Sequence, residues 1–177
     1  DAMTLDGQRV FVHANINSRE DMLQIATSGA DGIGLLRTEY LFQDRTKPPT
    51  VEEQLDAYRQ ISQQTPGEIL TVRLLDIGGD KPVHYLPQQA ESNPFLGVRG
   101  IRLLLQHPEL LRDQLQALVS LSQENGFTGV VRILVPMISK VIEVRRVLEV
   151  LDGIPGYREQ HAKGRNLQVG LMIEVPS

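Results

Sequence analysis

The sequence predicts an α/β protein: parallel strands with outer helices, forming roughly the first five βα units of a (β/α)8 TIM barrel, in one domain over residues 1–177. Three observations carry this. Short, near-continuous apolar strands alternate with longer amphipathic stretches, the pattern of a parallel sheet covered by helices. No G-x-G-x-x-G follows the first strand, where an open dinucleotide-binding sheet would carry one. Polar residues instead stand at strand ends, at Asn15, Arg37, Arg73, Asp76 and Glu174. Barrels of this class assemble their sites from the C-terminal ends of different strands. A closed barrel needs eight strands and about 250 residues, so these 177 residues are expected to be a fragment of a longer protein. Its outer strands are then open edges, prone to pairing with another chain.

Taken in order, Val10–Ile16 is the first strand. Ser18 caps a helix to about Ser28, with Met22, Leu23, Ile25 and Ala26 on its apolar face and Gly29 as its stop. Gly32–Leu36 is the second strand, ending in Arg37-Thr38-Glu39. Thr50 and Glu53 have capping-box spacing and open a helix with Leu55, Tyr58 and Ile61 on one side. The third strand begins at Leu70. Asn93-Pro94 signals a turn, followed by helical patterns over about 95–106 and 108–125. Pro108 suits a first helical position, and Leu111, Leu115, Leu118 and Ser122 form the inner stripe of the second pattern. Val130–Met137 is the fourth strand. Val141, Val144, Leu148 and Leu151 recur at helical spacing and are expected to be core. Val169–Val175 is the fifth strand.

Composition excludes several functions. A formal charge of -4 and a pI near 5.6 argue against a dedicated nucleic-acid binder. The 18 basic residues still leave room for a local anion site. No apolar run approaches the roughly 18 residues of a membrane span, and nothing at the start resembles a signal peptide. The absence of cysteine fits a cytoplasmic protein and removes thiol nucleophiles, thiol acids and Cys-ligated metals.

The segment Leu70–Lys81 carries the most chemistry. Arg73 sits inside an apolar, β-branched run, and Asp76 and the Gly78-Gly79 pair follow it. A desolvated arginine needs an anionic partner. That partner is either a ligand phosphate or carboxylate, with Lys81 nearby, or an internal one such as Asp76; a third reading has Arg73 snorkelling to the surface. Arg37 ends the neighbouring strand, so two guanidinium groups are placed to converge at the barrel mouth. Asp76 and Asp80 either fix the loop or touch substrate. Glu174 is either a solvated rim residue or a ligand to a hard cation such as Mg²⁺, alongside another carboxylate and substrate oxygens. Arg99 and Arg102 fall on a helical pattern and default to its solvated face. The four histidines, His13, His84, His107 and His161, share no metal-ligand spacing, and no Ser-His-Asp arrangement can be nominated.

Several motifs together resemble one family. They are Gly32-Ile33-Gly34-Leu35-Leu36-Arg37-Thr38-Glu39-Tyr40-Leu41-Phe42, Arg73-Leu74-Leu75-Asp76-Ile77-Gly78-Gly79-Asp80-Lys81 and Asn93-Pro94-Phe95-Leu96-Gly97-Val98-Arg99-Gly100-Ile101-Arg102. Val135-Pro136-Met137-Ile138 and Gly170-Leu171-Met172-Ile173-Glu174-Val175-Pro176 follow in order. The chain resembles the C-terminal phosphoenolpyruvate-binding domain of the PEP-utilising enzymes, in the enzyme I (phosphoenolpyruvate-protein phosphotransferase) branch of the bacterial phosphotransferase system. That resemblance implies a (β/α)8 barrel that binds phosphoenolpyruvate and Mg²⁺ and forms a homodimer. It implies that Arg37 and Arg73 bind the phosphate, with Arg99 and Lys81 as supporting contacts, and that Glu174 is one Mg²⁺ ligand. Intact enzyme I transfers the phosphoryl group to its own histidine and then to the carrier protein HPr.

The family's G-T-N-D metal segment, its enolate-protonating cysteine and its phosphorylated-histidine domain are absent from these residues. The chain alone is therefore expected to bind phosphoenolpyruvate weakly at best, with no catalytic residue of its own. Phosphotransfer to HPr by these 177 residues would overturn that expectation. Other readings are a pyruvate phosphate dikinase, phosphoenolpyruvate synthase or pyruvate-type aldolase barrel, and a non-catalytic dimerisation module.

Overall fold

A parallel sheet organises the computed structural model, which describes residues 2–25, 27–64, 69–78, 83–86, 92–94, 96–162 and 166–176. A small antiparallel hairpin of β1 (Ala2–Met3) and β2 (Arg9–Val10) precedes it. The sheet strands are β3 (His13–Ile16), β4 (Gly32–Arg37), β5 (Ile69–Arg73), β6 (Val130–Val135) and β7 (Leu167–Leu171), adjacent in chain order and all parallel. The helices between them are α1 (Arg19–Ile25), α2 (Glu39–Phe42), α3 (Val51–Gln64), α4 (Ile101–Gln106), α5 (Pro108–Gln123), α6 (Val141–Asp152) and α7 (Tyr157–Ala162). The expected alternation of strand and helix is present. Closure into a barrel is not seen among the described residues.

The sheet has two unlike faces. One registered row runs Ile16, Leu36, Val72, Ile133, Val169 across all five strands. The first four of these are buried to 1% exposure or less, as are Leu111, Leu115 and Leu118 of α5. The opposite row holds Asn15, Arg132 and Gln168, and β6 alternates half-buried with buried residues along its length. One face is thus a hydrophobic core, and the other mixes polar residues with half-buried apolar ones.

Local signals place the helices. Ser18 Oγ accepts the Asp21 N–H (3.2 Å) at the start of α1. The α3 capping box closes as its spacing predicts: Thr50 Oγ1 accepts the Glu53 N–H (3.2 Å), and Glu53 Oε2 accepts the Thr50 N–H (2.8 Å). Glu53 also accepts from Arg45 Nη2 and Nη1, at 2.9 and 3.0 Å. The Arg45 bonds and then the Thr50 N–H hold its carboxyl down at about 2. This folded value lies below the roughly 4.3 of an unfolded glutamate. The stabilisation is therefore complete above that range and is lost as pH falls toward about 2. Glu53→Gln is expected to flatten this part of the acid-unfolding curve. Thr50→Ala should cost about 1 kcal/mol at neutral pH, and urea midpoints across pH would check both.

Four boundaries differ from expectation. The first strand is four residues, His13–Ile16. Val10 belongs to the hairpin, and Phe11 and Val12 are 62% and 51% exposed, with Arg9 stacked over the Phe11 ring at 4.8 Å. Helix α1 ends at Ile25, and α4 starts only at Ile101 because Gly100 takes φ 52°. On α6 the buried apolar positions are Val147 and Leu151, whereas Val141 is 70% and Leu148 39% exposed. The helix is rotated so that Val144, Val147 and Leu151 line its inner side, a spacing equally consistent with 3.6-residue periodicity. Helix α7 was not expected from the sequence. Strand β7 ends at Leu171, so Glu174 lies beyond it.

Candidate functional site

Parallel strands place all their C-terminal ends on one edge of the sheet, and the described candidates Arg37, Arg73, Arg99 and Glu174 stand at or after those ends. Arg37 and Arg73 are register partners at the ends of β4 and β5. In-register neighbours on parallel strands face the same side. Their environments differ sharply, for Arg37 is exposed and Arg73 is 8% exposed.

Burial of Arg73 is matched by two carboxylates. Its Nη2 meets Glu39 Oε1 at 2.5 Å, and its Nη1 lies 3.4 Å from Asp76 Oδ2. Asp76 simultaneously accepts two bonds from Arg99, from Nε at 3.0 Å and from Nη2 at 3.2 Å. Glu39, Asp76 and Arg99 are 5%, 5% and 8% exposed. Two guanidinium groups and two carboxylates therefore form one buried cluster. The internal pairing of Arg73 with Asp76 is realised, and Glu39 is added to it. Among the described residues the buried Arg73 Nε–H is left without an acceptor, while Nη1 and Nη2 face the two carboxylates.

Arg99 corrects the sequence expectation. It precedes α4 instead of lying on its solvated face, and Asp76 draws it into the interior. Gly78 makes room for it: a Cβ at Gly78 would stand 2.7 Å from the Arg99 Cβ. Arg102 is half-buried and donates to the Leu96 and Gly97 carbonyls at 2.8 and 3.1 Å. Lys81, like Gly79 and Asp80, lies outside the described residues.

Glu174 stands after β7, exposed, with Oε1 accepting the Met137 N–H at 2.8 Å. Met137 follows β6 with φ 60°, a backbone region that costs a non-glycine residue about 1 kcal/mol or more and often marks a functional site. This carboxylate presents one hard oxygen donor suited to Mg²⁺, which takes one or two carboxylates plus substrate oxygens. No group of three His, Cys, Asp or Glu residues gathers as a metal site among the described residues.

The sequence reading missed Gln114. It lies three residues after Leu111, inside the apolar stripe of α5, and is 0% exposed. A glutamine on a buried helix face was the available signal. Its Oε1 accepts the Leu75 N–H (2.9 Å), and its Nε2 donates to Thr38 Oγ1 (3.0 Å) and the Tyr58 hydroxyl (3.2 Å). Thr38 Oγ1 in turn donates to the Arg73 carbonyl at 3.0 Å. Burial pushes the Tyr58 hydroxyl well above its ordinary value, which keeps it protonated.

A separate cavity of about 270 Å³ lies at the other end of the strands, lined by Arg59, Ile69, Glu124 and Phe127 among others. Its arginine is already paired with Glu124 and Asp56.

A family model described as PEP-utilising enzyme, PEP-binding domain, matches residues 1–177. The chain belongs to the PEP-utilising enzyme family. Among its PEP-utilising relatives, the phosphoenolpyruvate-protein phosphotransferase of Haemophilus influenzae is 43% identical over 180 residues, covering 99% of this chain and 30% of that protein. The protein of the same name from Staphylococcus epidermidis is 39% identical over 181 residues, covering 100% of this chain and 31% of that protein. A multiphosphoryl transfer protein of Xanthomonas campestris is 42% identical over 176 residues, 99% of this chain and 20% of that protein. The chain thus spans a third or less of these relatives. No helix among the described residues is long and apolar enough to cross a membrane.

Proposed function

We propose that this chain is the phosphoenolpyruvate-binding part of a phosphoenolpyruvate-protein phosphotransferase, built as a section of a (β/α)8 barrel. In the whole protein the phosphoryl group passes from phosphoenolpyruvate to a histidine of another domain and then to HPr, in a cytoplasmic homodimer. One observation above all supports the anion-binding reading. Among the described residues the buried Arg73 Nε–H has no hydrogen-bond partner, and the exposed Arg37 is its register partner at the strand ends. A buried donor without a partner costs about 1–3 kcal/mol, and a ligand oxygen would relieve that cost.

Charge accounting assigns different tasks. The cluster of Arg73, Arg99, Glu39 and Asp76 is formally neutral, so it offers directed donors and little net attraction. Arg37, with Lys81, would supply the positive charge that meets a phosphate. Arg99 acts by holding Asp76 and through it Arg73. Glu174 would hold Mg²⁺, its carboxylate oriented by the Met137 N–H. The ion, when bound, spreads the negative charge of the phosphoryl oxygens.

Isothermal titration tests this. The chain should bind phosphoenolpyruvate in the presence of Mg²⁺, and Arg37→Ala should weaken binding by about tenfold or more. Glu174→Gln should remove the Mg²⁺ dependence while leaving residual binding. Equal affinity of the wild-type and Arg37→Ala chains would refute the assignment. Binding with no phosphotransfer to HPr would match the reading of these residues as one part of the transferase.

A further inference from the structure

The environment of Gln114 points to a role beyond packing. Its single side-chain amide touches three elements: Leu75 just after β5, Thr38 between β4 and α2, and Tyr58 in α3. The contacts continue outward, for the Tyr58 hydroxyl donates to Gln54 Oε1 (3.4 Å) and Gln54 Nε2 donates to the Pro49 carbonyl (3.2 Å). Gln114, Thr38, Tyr58 and Gln54 are all exposed by 1% or less.

The placement of the anchors is informative. Glu39, one counterion of Arg73, directly follows Thr38. Asp76, the other counterion, directly follows Leu75. The third anchor is the Arg73 carbonyl itself, reached through Thr38. One amide therefore holds the backbone N–H beside Asp76 and the hydroxyl beside Glu39, and through that hydroxyl the carbonyl of the arginine between them. Buried polar networks of this kind are often no better for stability than apolar packing of equal volume. What they supply is a unique arrangement of the groups they join.

We infer that Gln114 is a positioning residue for the anion site: it sets where Glu39 and Asp76 stand and hence where the Arg73 guanidinium points. The inference deepens the phosphoenolpyruvate-binding reading and rests on it. Gln114 touches no ligand. It acts through the strand ends, as residues behind a ligating shell do elsewhere.

The test compares Gln114→Met, close in volume but without the amide, with Leu118→Ala, which removes buried bulk one turn further along α5. Two readouts are taken on the 177-residue chain. The first is titration with phosphoenolpyruvate and Mg²⁺. Gln114→Met should weaken binding by about tenfold, while Leu118→Ala, at least as destabilising to heat, should stay within about twofold of wild type. The second needs no ligand: exchange of the Arg73 Nε–H followed by ¹⁵N NMR. It should speed up by about tenfold in Gln114→Met and change little in Leu118→Ala. Parallel losses in both variants on both readouts would make Gln114 an ordinary core residue and overturn the inference. A wild-type chain that does not bind phosphoenolpyruvate would count against the ligand assignment alone. The exchange comparison would still decide the role of Gln114.

Discussion

Asp76→Ala is expected to lower the unfolding free energy by about 3–5 kcal/mol, the range found when one partner of a buried ion pair is removed. Asp76 is 5% exposed and serves two guanidinium groups, so its loss removes the bidentate carboxylate from Arg99 and leaves Glu39 as the Arg73 counterion among the described residues. The sign of the remaining charge gives a sharper outcome. Removing Asp76 shifts the local charge by one positive unit. Inorganic phosphate should therefore stabilise the variant more than the wild type, because a bound anion would stand in for the missing carboxylate. Denaturant unfolding with and without phosphate measures both effects. A loss below about 1 kcal/mol would show that the cluster does not carry the stability its burial implies.

Gly78→Ala should have the next largest consequence. Its new Cβ would lie 2.7 Å from the Arg99 Cβ and 3.7 Å from the Arg99 Cα. Neither atom is the free end of a flexible side chain, so the Arg99 segment itself must shift. Overpacking of this kind costs about 1–3 kcal/mol. Moving Arg99 also drags Asp76 and loosens Arg73, so affinity for phosphoenolpyruvate should fall alongside stability. Gly170→Ala is the control: its Cβ would meet Leu134 Cδ1 at 3.6 Å, an ordinary contact. Stability and titration series on the two variants separate the outcomes. Gly78→Ala with unchanged affinity would disconnect Arg99 from the site.

Much of the fold was legible where a signal is local. Thr50 and Glu53 cap α3 as their spacing predicts, and Pro108 opens α5. The apolar segments at 32–36, 70–73 and 130–135 became adjacent parallel strands. What stayed hidden depends on contacts between distant residues. Arg99 looks like a helix-surface residue until Asp76, 23 positions earlier, is folded beside it. Glu39 gives no sign that its partner is Arg73, 34 positions away. The inner side of α6 is ambiguous in the sequence because Val141, Val144, Leu148 and Leu151 fit a helical stripe as well as the row that is buried. Only packing against neighbouring elements chooses between two such stripes.

The unequal burial of the two registered arginines has a kinetic consequence. Mobile ions screen charges in water over about 8–10 Å at physiological strength, and screen buried ones far less. In the proposed site Arg37, in water, would govern how often an anion arrives, and Arg73, out of water, would govern how long it stays. Raising ionic strength should therefore slow association well before it shortens the lifetime of the complex.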